Sequence, residues 1–75
     1  MTTLLAEVIG GDDLTEREME ILVLAADGDT AAETGDRLFL SVETVKGYRK
    51  KIIAKLEARN MAHAITIAFR TRLIS

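Results

Sequence analysis

The chain of 75 residues has a mass of 8.2 kDa and a formal net charge of −2, so it has room for one small core and not for two. With 48% apolar and 29% charged residues, it has the composition of a folded domain rather than of a disordered tail. The absence of cysteine and the single histidine, His63, argue against disulfides and metal sites, and we expect no cofactor. No apolar run approaches the roughly 20 residues that span a bilayer, which predicts a cytoplasmic protein without a membrane partner.

The first helix is predicted to begin after Thr15. Thr15 and Glu18 are spaced as a capping box, in which each side chain accepts a hydrogen bond from the backbone N–H of the other residue. The apolar positions that follow end at Asp27-Gly28, and glycine is typical of a helix end. The preceding residues 1–13 are predicted to be an N-terminal extension with one or two helical turns, built on Leu4, Leu5, Val8 and Ile9.

A helix-turn-helix is predicted in the middle of the sequence. Thr30 and Glu33 form a second capping box, which opens a short helix that reaches about Leu38. Ser41 is a third N-cap and begins the longest helical pattern, over residues 42–57. A short helix, a tight turn and a longer helix make up the helix-turn-helix outline.

The longest predicted helix has an apolar side and a basic side. Successive residues are about 100° apart, which puts a core row on one side and lysines on the other. Arg49 falls within the apolar arc, and we expect its stem to lie along the core edge with the guanidinium extended outward. The second helix of a helix-turn-helix fits the major groove, so the basic side is predicted to bind DNA. The core row is Val42, Val45, Tyr48, Ile52, Ile53 and Leu56; the basic side is Lys46, Gly47, Lys50 and Lys51, with Glu43 among them and Lys55 at the edge.

A fourth helix is predicted from Met61 to about Leu73, with Asn60 as its N-cap, and the fold class is therefore an all-α bundle of four helices. This helix is apolar on more of its circumference than one core contact requires. A homodimer through this helix would bury the excess and place two reading helices about 34 Å apart. The alternative is a monomer in which residues 1–9 cover that face. The predicted dimer residues are Met61, Ala64, Ile65, Ala68 and Phe69.

The charges are divided unevenly along the sequence. Residues 1–36 contain ten acids and one base, whereas residues 37–75 contain nine bases and two acids. Such asymmetry favours one face for a polyanion, with acids kept away from it. The alternative is a dipolar surface that only serves solubility.

Several motifs resemble the LuxR-type, or GerE-like, DNA-binding domain. They fall in the order and spacing of that family over about residues 14–70. The motifs are Leu14-Thr15-Glu16-Arg17-Glu18, Gly28, Thr30, Glu33, Leu38, Leu40-Ser41, Thr44-Val45-Lys46, Ile52 and Lys55-Leu56.

The resemblance implies a four-helix transcription regulator of the winged-helix-like superfamily that is bacterial or phage-encoded and associated with the nucleoid. It also implies that Lys46, Gly47 and Lys50 face bases, that Thr44 lies near the DNA backbone and that the fourth helix pairs two protomers. The sequence contains no second domain, so we expect residues 14–75 to be a free-standing module without a small-molecule ligand. The predicted DNA-binding residues are Thr30, Ser41, Thr44, Lys46, Gly47, Lys50, Lys51 and Lys55.

The sequence also departs from the family's pattern. Ala32 replaces a basic phosphate contact, Tyr48 replaces the usual His, and Met61 replaces a common Arg. Thr34 occupies an aliphatic core position, so its hydroxyl must be buried with a backbone partner or lie at the edge of the core; left unmet, it costs about 1–3 kcal/mol.

Two functions remain open beside sequence-specific regulation of transcription. A sigma-factor region-4-like module shares this outline and would bind RNA polymerase as well. A truncated regulator or protein-interaction module would act on another protein with little DNA binding of its own. An enzyme is not expected, since the sequence contains no nucleophile–base pair, phosphate-binding glycine loop or converging carboxylate pair.

Overall fold

The computed structural model describes residues 13–74, which contain four helices and no strand. They are α1 (Glu16–Ala26), α2 (Ala31–Leu38), α3 (Val42–Lys55) and α4 (Met61–Arg70). The predicted all-α class and the helix-turn-helix, formed by α2 and α3, are confirmed. The helical turns predicted before residue 13 lie outside the described residues.

Every helix begins at the N-cap that the sequence predicts. In α1, Thr15 Oγ1 accepts from the N–H of Glu18 at 3.1 Å, and Glu18 Oε1 accepts from the N–H of Thr15 at 2.8 Å. The same reciprocal pair opens α2, and a single side-chain acceptor opens α3 and α4. Each bond satisfies an N–H that the first helical turn leaves open. The N-caps are Thr15, Thr30, Ser41 and Asn60.

The four helices also end alike, in a left-handed turn. After each helix one residue has a positive φ, and the N–H of the following residue donates to the carbonyl five residues back. In α4 this reversal occurs at Arg72 and returns Ile74 to the core, so the helix ends at Arg70 rather than near the predicted Leu73. The left-handed residues are Gly28, Phe39, Glu57 and Arg72.

The core lies between α1, α3 and α4. α3 packs against each of the other three helices and is the central element of the fold. Its predicted apolar row faces inward, with Val45 and Ile52 completely buried. The other fully buried apolar residues are Ile21 and Leu22 of α1 and Ala64 and Ala68 of α4.

Thr34 is buried in α2 with no exposed surface, and its hydroxyl has no hydrogen-bond partner. Of the two arrangements expected for this residue, a buried hydroxyl with a backbone partner or an edge position, neither occurs. The unmet hydroxyl is a local energetic defect of about 1–3 kcal/mol in the core.

Candidate nucleic-acid interface

The turn between α2 and α3 closes over Gly35. The N–H of Leu40 donates to the Gly35 carbonyl at 2.9 Å. A Cβ at Gly35 would lie 2.5 Å from the Leu40 carbonyl oxygen, closer than real side chains approach. Only glycine therefore allows the turn to fold this tightly against α2, and the direction in which α3 leaves the turn depends on it.

Arg49 holds α3 against the loop between α1 and α2. Its Nη2 donates to the backbone carbonyl of Asp29 at 2.9 Å, while Arg37 Nε donates to the Asp29 carboxylate at 2.7 Å. The prediction that the Arg49 guanidinium extends outward is wrong, because this carbonyl lies within its reach. The Arg49 Nε is buried without a partner. The charge-assisted bond from Nη2 is therefore the hydrogen bond by which this side chain holds α3 against the loop.

Lys55 holds the C-terminal end of α3 against the start of α1. Its Nζ lies 2.8 Å from Glu18 Oε1 and 3.2 Å from the backbone carbonyl of Asp13. The Glu18 side chain is 3% exposed and that of Lys55 24%. This ammonium is already bonded within the protein, which sets Lys55 apart from the other lysines predicted to bind DNA.

The Glu18 carboxylate has two structural roles, as capping acceptor and as ion-pair partner. Its burial opposes ionisation and by itself raises the pKa. The hydrogen bonds from Lys55 and from the Thr15 backbone, together with the positive charge of Lys55, outweigh burial, so the pKa of Glu18 lies below its ordinary value.

The opposite side of α3 carries three exposed lysines, Lys46, Lys50 and Lys51, with Gly47 exposed between them and Thr44 exposed at the edge next to Lys51. We call these five residues the basic surface. The ion pairs found in residues 13–74 involve Arg17, Arg37 and Lys55, so the three lysines of the basic surface are unpaired there. Three adjacent cationic groups in solvent form a binding surface for phosphate.

The hydroxyl groups near this surface differ in whether their proton is free to donate a hydrogen bond. Ser41 Oγ accepts from the N–H of Thr44 at 3.1 Å and donates to Thr44 Oγ1 at 2.8 Å, so its proton is used. Thr44 accepts that bond and keeps its own proton for an outside acceptor. Thr30, at the start of α2, is exposed and accepts from the N–H of Glu33 at 3.1 Å, which also leaves its proton available.

The apolar surface that α4 offers to a second copy is smaller than the sequence predicts. Ala64 and Ala68 have no exposed surface because they pack in the core of their own protomer, so neither is available to a second copy. Met61 and Ile65 are half-buried, and Phe69 is 47% exposed. These three residues are spaced by four and form one stripe along the helix.

Phe39 is an exposed aromatic residue that sequence analysis did not single out. It lies in the turn of the helix-turn-helix with φ of 60° and is 94% exposed. No residue signal marks it, because phenylalanine is uncommon in the left-handed region and rare on the surface.

Two further features are absent from residues 13–74. There, no three His, Cys, Asp or Glu side chains come together as a metal site. No helix in this part of the chain has the length and apolar character that crossing a membrane requires.

A short helix, a turn closed at a glycine and a longer helix with free lysines define a helix-turn-helix DNA-binding domain. Comparison with known proteins agrees with this class. Residues 12–68 match the family described as "Bacterial regulatory proteins, luxR family". The chain belongs to this family of DNA-binding transcription regulators.

The relatives are longer proteins. The chain is 39% identical over 64 residues to the "Transcriptional regulatory protein LiaR" of Bacillus subtilis, a match that covers 85% of the chain and 30% of the relative. It is 41% identical over 61 residues to the "Response regulator protein VraR" of Staphylococcus aureus and of Staphylococcus epidermidis, which covers 81% of the chain and 29% of each relative. The chain thus spans less than a third of the length of these curated relatives.

Proposed function

We propose that this chain binds specific sequences of double-stranded DNA through α3 and thereby regulates transcription, without catalysing a reaction. The observation that carries the proposal is the basic surface, whose three lysines are exposed and unpaired on a helix anchored from behind. A helix held in this way presents its free side chains to a groove without rearrangement, and the major groove is wide enough to admit it. Such a module acts in the compartment that holds the DNA, the cytoplasm of a bacterium.

The residues of the basic surface have different roles in this proposal. Lys46 and Lys50, one turn apart, reach guanine O6 and N7 on base edges. Lys51 and the Thr44 hydroxyl bind phosphate oxygens, and Ser41 holds Thr44 in place. Lys55 is left out because it is bonded to Glu18. Thr30 gives a phosphate contact at the start of α2.

Dimerisation is part of the proposal. The stripe of Met61, Ile65 and Phe69 offers a self-complementary apolar surface, and the 47% exposure of Phe69 supports its use by a partner. A second copy related by a two-fold axis would match a palindromic site with half-sites about 34 Å apart.

The experiment selects bound duplexes from a random pool and titrates the recovered sequence at several salt concentrations. Lys51→Ala should weaken binding to all duplexes and reduce the salt slope by about 0.9, the share of one phosphate contact. Lys46→Ala and Lys50→Ala should each cost about 1–3 kcal/mol and relax base preference at one position. Arg17→Ala, on α1 and paired with Glu20, is the control and should change neither quantity. Unchanged binding in the three lysine variants would show that the basic surface does not bind DNA.

A protein-interaction module is the second candidate, and one feature favours it. Ala32, where the family has a basic phosphate contact, is exposed at the start of α2 and offers DNA nothing. That candidate predicts no binding to any duplex at low salt, together with stable capture of a protein partner. Capture of RNA polymerase in the same experiment would identify the sigma-like alternative.

A further inference from the structure

Gly47 lies in the middle of the basic surface, and the fold does not require a glycine there. The backbone is helical, and nothing lies within 4 Å of the place where a Cβ would stand. Glycine inside a helix lowers stability relative to alanine. Gly35 is the opposite case, since a Cβ there would meet the Leu40 carbonyl. The protein's own packing therefore leaves room for a side chain at residue 47, and the glycine leaves that room open to a ligand.

A shallow, open depression lies beside Gly47 on the exposed side of α3. It has a volume of about 240 Å³ and is lined by Thr44, Gly47, Tyr48 and Lys51, and we call it the Gly47 notch. These positions lie on adjacent turns of one helix side. The lining is mostly apolar, and the Lys51 ammonium lies 5.9 Å from the centre of the Tyr48 ring. The notch is thus a small apolar recess inside a cationic surface.

A cationic rim selects a polyanion, and an apolar recess within it selects an apolar group on that polyanion. In the major groove of DNA, the C5-methyl group of thymine is the apolar group on the base edges, which otherwise present hydrogen-bond donors and acceptors. We propose that the Gly47 notch receives the C5-methyl group of one thymine in each half-site. This makes Gly47 a residue that determines specificity, and the inference rests on the proposed DNA-binding function.

The first test replaces the methyl group alone. Each thymine of the selected duplex is changed singly to deoxyuridine, which keeps every hydrogen-bonding atom. At one position per half-site, this change should weaken binding about fourfold, the effect of losing the burial of one methyl group. Introducing 5-methylcytosine for cytosine at that position should recover part of the affinity that cytosine loses there.

The second test fills the notch. Gly47→Ala places a methyl group of the protein in the recess, so the variant should bind the thymine and deoxyuridine duplexes equally well. The variant should also melt at a higher temperature, which excludes unfolding as the reason. Lys51→Met is the matched control: it removes charge from the rim and keeps the side chain's length, so it should weaken binding to both duplexes and preserve their ratio.

Two results would overturn the inference and leave the proposed function standing. One is that no deoxyuridine substitution weakens binding. The other is that Gly47→Ala weakens binding to both duplexes and preserves the thymine preference, as expected if the glycine only lets the helix backbone approach the DNA. A failure of the unaltered protein to bind any selected duplex at low salt would instead reject the proposed function itself.

Discussion

Thr34 shows how a single residue can lower the stability of this domain. Its hydroxyl is completely buried without a hydrogen-bond partner. We predict that Thr34→Val raises the free energy of unfolding by about 1 kcal/mol, because valine has the same shape and no polar group to desolvate. Urea denaturation measures this change. Thr34→Ser keeps the hydroxyl and loses the methyl group, so it should be less stable than the native protein. A valine variant less stable than the native one would mean that the hydroxyl has a partner.

The ion pair of Glu18 and Lys55 gives a second prediction. Lys55→Met removes the partner of a carboxylate that is 3% exposed, which should lower the free energy of unfolding by about 2–3 kcal/mol. The double variant with Glu18→Gln should recover part of this loss, since no buried charge is left unpaired. Equal stability of Lys55→Met and the native protein in urea would contradict the assignment.

The same pair makes stability depend on pH. The pKa of Glu18 is lowered by folding, so its contribution is complete above the ordinary carboxyl pKa of 4.5 and is lost as the pH falls through the lowered value. The difference in unfolding free energy between the native protein and Glu18→Gln should therefore be largest near neutral pH and shrink in acid. A difference that stays constant between pH 7 and pH 3 would show that Glu18 is not the titrating group.

The partners of charged residues are the part that sequence analysis could not find. The N-caps were predictable because each side chain bonds to a backbone group three residues away. Arg49 instead bonds 20 residues back along the chain, and Lys55 bonds 37 residues back. Helical periodicity gives the direction of a side chain from its own helix, and it contains no information about which carbonyl or carboxylate lies opposite.

At the scale of the helices, the starts were predicted more closely than the ends. The predicted ends of α1, before Gly28, and of α2, at about Leu38, are confirmed, whereas α3 and α4 end at Lys55 and Arg70, two and three residues before the predicted ends. Only α1 ends with a glycine in the left-handed position. The other three helices place Phe39, Glu57 or Arg72 in that conformation, against the intrinsic preference of these residues. Packing of the following residues against the core overrides that preference, and no local signal reports it. These residues are Leu40, Ala58 and Leu73.

The end of α3 can be stabilised by glycine. Glu57 has φ of 54° and carries a negative charge at the negative end of the helix dipole. We predict that Glu57→Gly raises the free energy of unfolding by about 1 kcal/mol through relief of the left-handed conformation. Glu57→Ala removes the charge and keeps the strain, so it separates the two causes and should gain less. Thermal denaturation in which alanine equals glycine would assign the effect to charge alone.

Two glycines in neighbouring helices should respond oppositely to the same substitution. Gly35→Ala should lower the free energy of unfolding by about 1–3 kcal/mol, because its Cβ would lie 2.5 Å from the Leu40 oxygen. Gly47→Ala should raise it by about 0.5–1 kcal/mol, because its Cβ meets nothing within 4 Å and alanine favours helix. Urea titrations of both variants test the pair, and a shared sign would contradict the local geometry.

At the scale of the whole molecule, we predict that two copies associate through the stripe on α4. Phe69→Glu should leave the fold intact, since Phe69 is 47% exposed, and should convert a dimer to a monomer in sedimentation velocity. Phe39→Glu is the control, because Phe39 is 94% exposed at the turn before α3 rather than on α4. A native chain that sediments as a monomer both free and on DNA would remove the dimer from the proposal.

The charge asymmetry of the sequence has two uses in the folded molecule. Part of it holds the domain together, since Lys55, Arg37 and Arg49 of the basic half each bond to Glu18 or Asp29 of the acidic half. Three of the other six bases, Lys46, Lys50 and Lys51, form the basic surface on α3, and the remaining three lie beyond that helix. The spacing of the lysines was enough to predict a basic side of α3. It could not show which bases bond within the protein and which stay free, because that depends on how the helices pack.

The central position of α3 links the proposed ligand to the whole domain. Because α3 packs against every other helix of residues 13–74, a ligand that holds α3 in place opposes unfolding of the other helices as well. A duplex bound to α3 should therefore slow amide hydrogen exchange throughout the four helices, well beyond the residues that it contacts. It should also raise the melting temperature in proportion to the logarithm of the duplex concentration.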